Sequence, residues 1–261
     1  AVFHTVERES RSWAYERVAN DPRVSQTLAL MVDSFGIVTQ SAAIAYRRRT
    51  AGQPEQNVFR CMVTEQTVVH CDNLSTGHRI GIPTESRAYE LTDQSSPAAF
   101  LSLETVQTNF TNASLIPYEQ TAGGGIQKRL IQREKARYYD STALPAGLLN
   151  FGAADPKALL FKSYLLDLTD ALNTQVFGPK ASTAVLAPIL TEGGYVTPSG
   201  ETGYWLPSGH AVFNQSNFFL PSSVADSFDT TTATITYDVH SMFATTITGL
   251  LGNVASATHD Y

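Results

Sequence analysis

The chain has 261 residues, of which 43% are hydrophobic, 10% aromatic and only 16% charged. This is enough apolar side chain for a packed core, in one large domain or two small ones, and the wrong balance for a disordered chain. The net charge of −6 argues against non-specific nucleic-acid binding, which needs Lys and Arg to neutralise phosphates, and no run reaches the roughly 18 apolar residues of a membrane span.

In chain order, the first third reads as strands. Ser25 to Val32 alternates polar and apolar residues, and Ile37 to Tyr46 repeats the pattern. Between them, Asp33-Ser34-Phe35-Gly36 is a turn signal, with Gly free to take positive φ. Arg47-Arg48-Arg49 reads as a solvated strand end. Val58 to His70 is rich in Val and Thr and forms one or two strands. It carries Cys61, and Cys71 follows directly. Equal parity puts the two thiols on one face of a continuous strand. A fold-back around Gln66 would instead let them pair as a disulfide. Ser86 to Leu91 is a further short strand. Pro97 to Val106 reads as a short helix, with Pro in its first turn.

Gly123-Gly124-Gly125 is a loop. A phosphate cradle would need Gly-Lys-Ser/Thr, and Ile126-Gln127-Lys128-Arg129 does not supply it. Ile126 to Tyr139 is a long strand. Leu159 to Phe177 places Phe161, Leu165, Leu168, Leu172 and Val176 near a 3.6-residue period and predicts a helix. Thr169 is an N-cap candidate for its second half. Ala184 to Thr191 predicts a short helix, bent or started by Pro188. The last third returns to strands, with turns at Gly193-Gly194-Tyr195 and Pro198-Ser199-Gly200. Tyr204 to Leu206, Ala211 to Leu220, Thr231 to Tyr237, Ala244 to Thr248 and Val254 to Tyr261 are the candidates. Their spacing is that of an all-β chain.

Signals for chemistry are sparse. His4, His70, His78, His210, His240 and His259 lack zinc-site spacing. Ser208 lies near His210 without a nucleophile elbow, and reads as a turn. Glu7-Arg8-Glu9 reads as surface charge. Trp13, Tyr15, Tyr204, Trp205, Phe218 and Phe219 could stack on sugars, although sheet packing explains them as well. Asn73, Asn109, Asn112 and Asn214 head N-x-S/T sequons, which carry glycans only if the producer is a eukaryotic secretory cell. No catalytic, cofactor-binding or metal-binding set is assigned.

Two sets of residues carry a resemblance. Thr234-Ile235-Thr236-Tyr237-Asp238, then Gly252-Asn253, then His259-Asp260-Tyr261 resembles an Rhs/YD repeat. In such a repeat Tyr packs on the sheet, Asp caps the turn and Gly-Asn supplies positive φ. Upstream, ordered blocks resemble the middle and C-terminal part of the B subunit of insecticidal Tc toxin complexes, the SpvB/Rhs-type cocoon proteins. They are Tyr15-Glu16-Arg17 with Asp21-Pro22-Arg23-Val24 and Leu30 to Gly36, then Arg87 to Thr92 with Ile116-Pro117-Tyr118-Glu119, then Leu190 to Tyr195 with Trp205 to Gly209 and Phe218 to Pro221.

The resemblance implies a secreted, non-catalytic wall segment of a β-shell. Its partners would be the remaining shell segments, a pore-forming A subunit and an enclosed toxic payload. The expected fold is mainly β, with large antiparallel sheets and two or three short helices. Residues 1–150 would form a β-rich wall segment with a short helix near 97–106. Residues 151–192 would form a helical insertion, and residues 193–261 a β segment ending in one YD-type repeat. The alternative is a free-standing secreted domain that binds carbohydrate or protein.

Overall fold

The structure is a computed structural model that describes residues 4–17, 19–50, 52–73, 75, 77–92, 100–178 and 180–260. The fold is mainly β. The chain divides into two compact units. One comprises Ala1–Val68 and Ser86–Arg133, the other Val69–Glu85 and Glu134–Tyr261. These divisions differ from the boundaries at 150 and 192 drawn from sequence.

The first unit begins with β1 (Glu9–Ala14), β2 (Arg23–Val32), β3 (Val38–Ala45), β4 (Arg60–Cys71) and β5 (Arg79–Leu91). It continues with α1 (Leu103–Asn112), β6 (Ser114–Ile116) and β7 (Gln127–Tyr138), although the ends of β4 and β7 and the first half of β5 belong to the second unit. Here the strand order is β1-β2-β3-β4-β5-β7, with β6 parallel to β7. Alternate residues face the core, as period-two strands require. Leu28 lies opposite Ala42, and Ala42 opposite Val63. Ile44 lies opposite Cys61 in the neighbouring row. Tyr89 and Leu91 continue this face, and Val106 and Phe110 of α1 cover it.

Local signals explain several boundaries. Asp33 Oδ1 accepts the N–H of Phe35 and of Ile37, both at 2.9 Å, and Gly36 takes φ +84°. This closes the β2–β3 hairpin as predicted. The helix expected over 97–106 instead starts at Leu103, because the Ser102 hydroxyl accepts the Thr105 N–H at 3.2 Å and so caps the turn. Residues 97–99 lie outside the described residues. β1 went unrecognised because all six of its residues are exposed, so no apolar alternation marks it. Its polar character suits an edge strand.

Residues 60–70 of this segment lie in the single strand β4, so the fold-back around Gln66 does not occur. Cys61 and Cys71 are both free thiols. Both lie on β4, and a continuous strand does not fold back to join two of its own residues. Burial pushes the Cys61 thiol up to about 12.

The second unit contains β8 (Leu160–Leu168), α2 (Asp170–Phe177), α3 (Thr183–Glu192), β9 (Tyr204–Pro207), β10 (His210–Asn214), β11 (Leu220–Ala225), β12 (Thr231–Tyr237), β13 (Ala244–Gly249) and β14 (Val254–Ser256). β8 pairs antiparallel with the end of β7 on one side and with β9 on the other. β10 to β14 form an antiparallel meander in chain order.

The predicted helix over 159–177 is therefore half strand. Residues 151–192 are not a purely helical insertion. Two flanking ladders win over the apolar spacing, because β7 and β9 pair the backbone of β8 from both sides. Thr169 does cap α2, its hydroxyl accepting the Leu172 N–H at 3.0 Å. α3 runs through Pro188 instead of starting there.

Ala211 to Leu220 is two strands, not one. Asn214 Oδ1 accepts the Ser216 N–H at 3.0 Å, and Phe218 and Phe219 take left-handed φ of 54° and 60°. Trp205 is fully buried, and its indole N–H donates to the Thr202 carbonyl at 3.0 Å.

Leu28→Ala is expected to lower the unfolding free energy by about 2–5 kcal/mol in urea denaturation; a change within noise would contradict the burial of this row. Thiol titration of the denatured, unreduced protein is expected to count both cysteines as free.

Candidate functional site

Three of the groups weighed for chemistry, His70, Ser208 and Glu9, have structural partners. His70 Nδ1 accepts the Gly81 N–H at 3.1 Å. The Ser208 hydroxyl accepts the Ser163 N–H at 3.1 Å and donates to the Gly209 carbonyl at 2.7 Å, so it serves backbone packing. Glu9 pairs with Arg11 and accepts from Gln26 Nε2 at 2.8 Å. Among the described residues, no group of three or more His, Cys, Asp or Glu side chains could hold a metal ion. No described helix is long and apolar enough to cross a membrane.

In the first unit two polar clusters tie loops to strands. Gln26, 1% exposed, donates to the Leu101 carbonyl at 3.0 Å and accepts from the Tyr46 hydroxyl at 2.5 Å. That hydroxyl in turn accepts the Leu101 N–H at 2.9 Å. The segment entering α1 is thus fastened to β2 and β3.

The second cluster is built on Arg48, which is not the solvated strand end expected from sequence. Its side chain is only 11% exposed. Its Nε donates to Asp21 Oδ2 at 3.1 Å and its Nη1 to Glu16 Oε2 at 3.0 Å, while Asp21 Oδ1 accepts the Arg49 N–H at 2.8 Å. Arg23 adds a second cation to Glu16. Burial works to raise the Asp21 carboxyl, but the hydrogen bonds from Arg48 and the Arg49 backbone outweigh it and hold the group below its usual value.

In the second unit the buried charge is Lys162, 4% exposed on β8. Its Nζ donates to the Ser227 carbonyl at 3.2 Å and pairs with Asp229 Oδ1 at 2.6 Å. His210 on β10 packs on Phe161 at 4.7 Å between ring centroids, with Nδ1 3.5 Å from the same Asp229 oxygen. Burial first, then Lys162, pulls the His210 imidazole below its usual value, against the opposing pull of Asp229. The neighbouring Tyr139 phenol is pushed up to about 12, chiefly by burial. Its hydroxyl donates to the Ala211 carbonyl at 3.0 Å. Sequence reasoning missed Lys162 because it was read on a helix. A period of two would have placed it on the buried face.

The β12–β14 meander holds most of the residues singled out at the end of the chain. Tyr237 ends β12, and its hydroxyl donates to the Pro221 carbonyl at 3.0 Å. Asp238 Oδ1 accepts the Met242 and Phe243 N–H groups at 2.7 and 3.3 Å, closing the turn to β13. Gly252 takes φ +78° in the next turn, and the Asn253 carbonyl accepts the Gly249 N–H at 2.8 Å. Asp260 is exposed beyond β14, and Tyr261 lies outside the described residues.

The turns and the last strand also expose large apolar side chains: Val239, Leu251, Phe218, Met242, Leu250 and Val254 are each more than half exposed. Of the sequon residues, Asn73, Asn112 and Asn214 are exposed and Asn109 is half-buried in α1.

The Asp21 carboxylate has its pKa lowered by folding. Its contribution to stability is therefore present above the ordinary carboxylate range and lost as pH falls through the lowered value. Asp21→Asn is expected to lower the melting temperature at neutral pH, with the deficit shrinking toward ~pH 3. An equal deficit at both ends would show that the charge is not what holds this cluster.

Comparison with known proteins agrees with the fold. The model of the insecticide toxin TcdB middle/C-terminal region matches residues 1–96. No curated protein matches the chain by sequence. Among solved structures, a TcdB2-TccC3 crystal structure matches 97% of the chain at 18% identity with a TM-score of 0.69. A Tc holotoxin pore from Photorhabdus luminescens matches 97% at 20% identity with a TM-score of 0.71. A third, TcdB2-TccC3-TEV, matches 97% at 19% identity with a TM-score of 0.70. The chain spans 14%, 12% and 14% of those chains respectively. Residues 1–96 thus carry the sequence signature of the TcdB middle/C-terminal region, and the described chain has the fold of a segment of the Tc toxin structures.

Proposed function

We propose that this chain is a non-catalytic segment of the wall of a secreted Tc-toxin B-type shell, which encloses a toxic payload. The observation that carries the reading is the fold match over 97% of the chain, joined to the family match over residues 1–96. The matched chains are several times longer, so the segment would act as part of a larger wall. In such a wall the strands supply enclosure and their edges supply continuity, because an unpaired edge otherwise recruits other strands. The remaining shell segments would be its direct neighbours. A pore-forming A subunit and the payload would be the partners of the whole.

The β12–β14 meander would be one Rhs/YD-type repeat. Supporting this, the Asp238 carboxylate caps one turn and Gly252 takes the positive φ of the next. The apolar side chains exposed in the turns and last strand, such as Val239, Leu251 and Val254, are the kind that neighbouring wall would cover. The Ser208 hydroxyl is engaged with the backbone of Ser163 and Gly209, and Glu9 with Arg11 and Gln26, which favours a structural role for both.

An antibody to this chain, used on the producing cells and their medium, tests the reading through the size of the intact product. The expected result is an extracellular species far above the chain's own 28.4 kDa, hollow in electron micrographs. A product of 28.4 kDa that stays monomeric would overturn it.

A further inference from the structure

The sheet of the first unit has a second face, opposite the core. On β4, Cys61 and Val63 belong to the core, so the pleat puts Arg60 and Met62 on the other side. On β5, Tyr89 and Leu91 are core residues, which leaves Glu90 on the outer face. On β7, Leu130 packs against the core between Arg129 and Ile131. The chain leaving β6 turns above this outer face, the Pro117 carbonyl accepting the Gln120 N–H at 3.2 Å, and the turn carries Tyr118. Arg60, Met62, Glu90, Tyr118, Arg129 and Ile131 line a cavity of about 430 Å³, and all six belong to the first unit.

Arg129 assembles this cavity. Its Nε and Nη2 donate to Glu90 Oε2, the first at 3.1 Å, and its Nη1 donates to the Tyr118 and Gln120 carbonyls at 3.4 and 3.1 Å. One guanidinium thus fixes the floor through Glu90 and the roof through the Tyr118 turn. A site held in place before binding loses less freedom on binding. Two polar groups are left over. Among the described residues Arg60 makes no hydrogen bond or ion pair, and the second oxygen of Glu90 accepts no hydrogen bond. Around them Met62, Tyr118 and Ile131 are each more than a third exposed.

Charge and lining together specify a ligand. Arg129 and Glu90 offset one another, so the cavity carries one positive charge in excess, on a planar fork that matches a carboxylate. The open Glu90 oxygen calls for an N–H donor beside that carboxylate. The three exposed apolar side chains call for an apolar body, and the volume is that of a small-molecule site. We propose that this cavity binds a small apolar amino acid, free or N-acylated, with its carboxylate on Arg60, its N–H on Glu90 and its side chain against Met62, Ile131 and Tyr118. The site does not depend on the wall reading, since every residue of it belongs to the first unit.

The test uses the full chain, with N-acetyl-L-phenylalanine as the probe. NMR titration is expected to shift the backbone amides of residues 60–62, 117–120 and 129–131 saturably, with a dissociation constant on the order of a millimolar or tighter for a ligand of this size. N-acetyl-L-phenylalanine amide, which lacks the charge, is expected to bind at least about tenfold more weakly. Arg60→Met, which removes an unpaired side chain, is expected to weaken binding of the acid by about the same factor. The absence of a saturable shift at roughly ten times that constant overturns the proposal. Equal binding of acid and amide, or unchanged affinity in Arg60→Met, overturns it as well. A longer peptide ending in phenylalanine is expected to bind no tighter than the probe, and binding more than about tenfold tighter would overturn the small-molecule assignment in favour of a chain end.

Discussion

The constraint on which this chain depends is that a sheet presents side chains every second residue, while its backbone must be paired on both sides of each inner strand. In the first unit that constraint produces rows. Leu28, Ala42 and Val63 lie side by side, as do Ile44 and Cys61, and one helix seals the face with Val106 and Phe110. A side chain of the wrong polarity in such a row is admitted only with partners. Gln26 stands opposite Ile44 and is buried because the Leu101 carbonyl, Glu9 and the Tyr46 hydroxyl all bond it. Where the rows end, the chain turns polar: β1 is exposed throughout, as suits a strand with no second neighbour among the described residues.

Sequence legibility followed the range of the interaction that decides each element. The β2–β3 hairpin was readable because Asp33 and Gly36 settle it within five residues. The cap at Thr169 and the turns at Asp238 and Gly252 are equally local. β8 was not readable, because its apolar spacing fits a helix and only the distant strands β7 and β9 force it straight. The same holds for the charged clusters. Asp21 and Arg48 meet across a hairpin, and Lys162 finds Ser227 and Asp229 from another sheet; no spacing in the sequence announces either. The pairing of Cys61 with Cys71 was undecided from composition, and the continuity of β4 decides it.

The two clusters also show how differently a buried cation can be compensated. Arg48 presents a planar fork to Asp21 and Glu16 at once, and a guanidinium keeps its charge at any relevant pH. That cluster yields only when its carboxylates are protonated, far into acid. Lys162 has one carboxylate, largely in water, and a neighbouring imidazole whose charge state is still free to change. The second cluster is held by an ammonium and one carboxylate, the first by a fork between two.

That contrast bears on where a wall of strands can give way. The strand ladders are held by backbone bonds that do not titrate in the physiological range, and the apolar rows respond to pH only through the whole fold. Loops fastened by single ion pairs are the separable parts, since local opening draws on the least stable contacts first. In the second unit the 226–230 loop and the hairpin turn at Asp238 are both closed by hydrogen bonds from their own backbone to a leading aspartate, and the first is also fastened to β8 through Lys162.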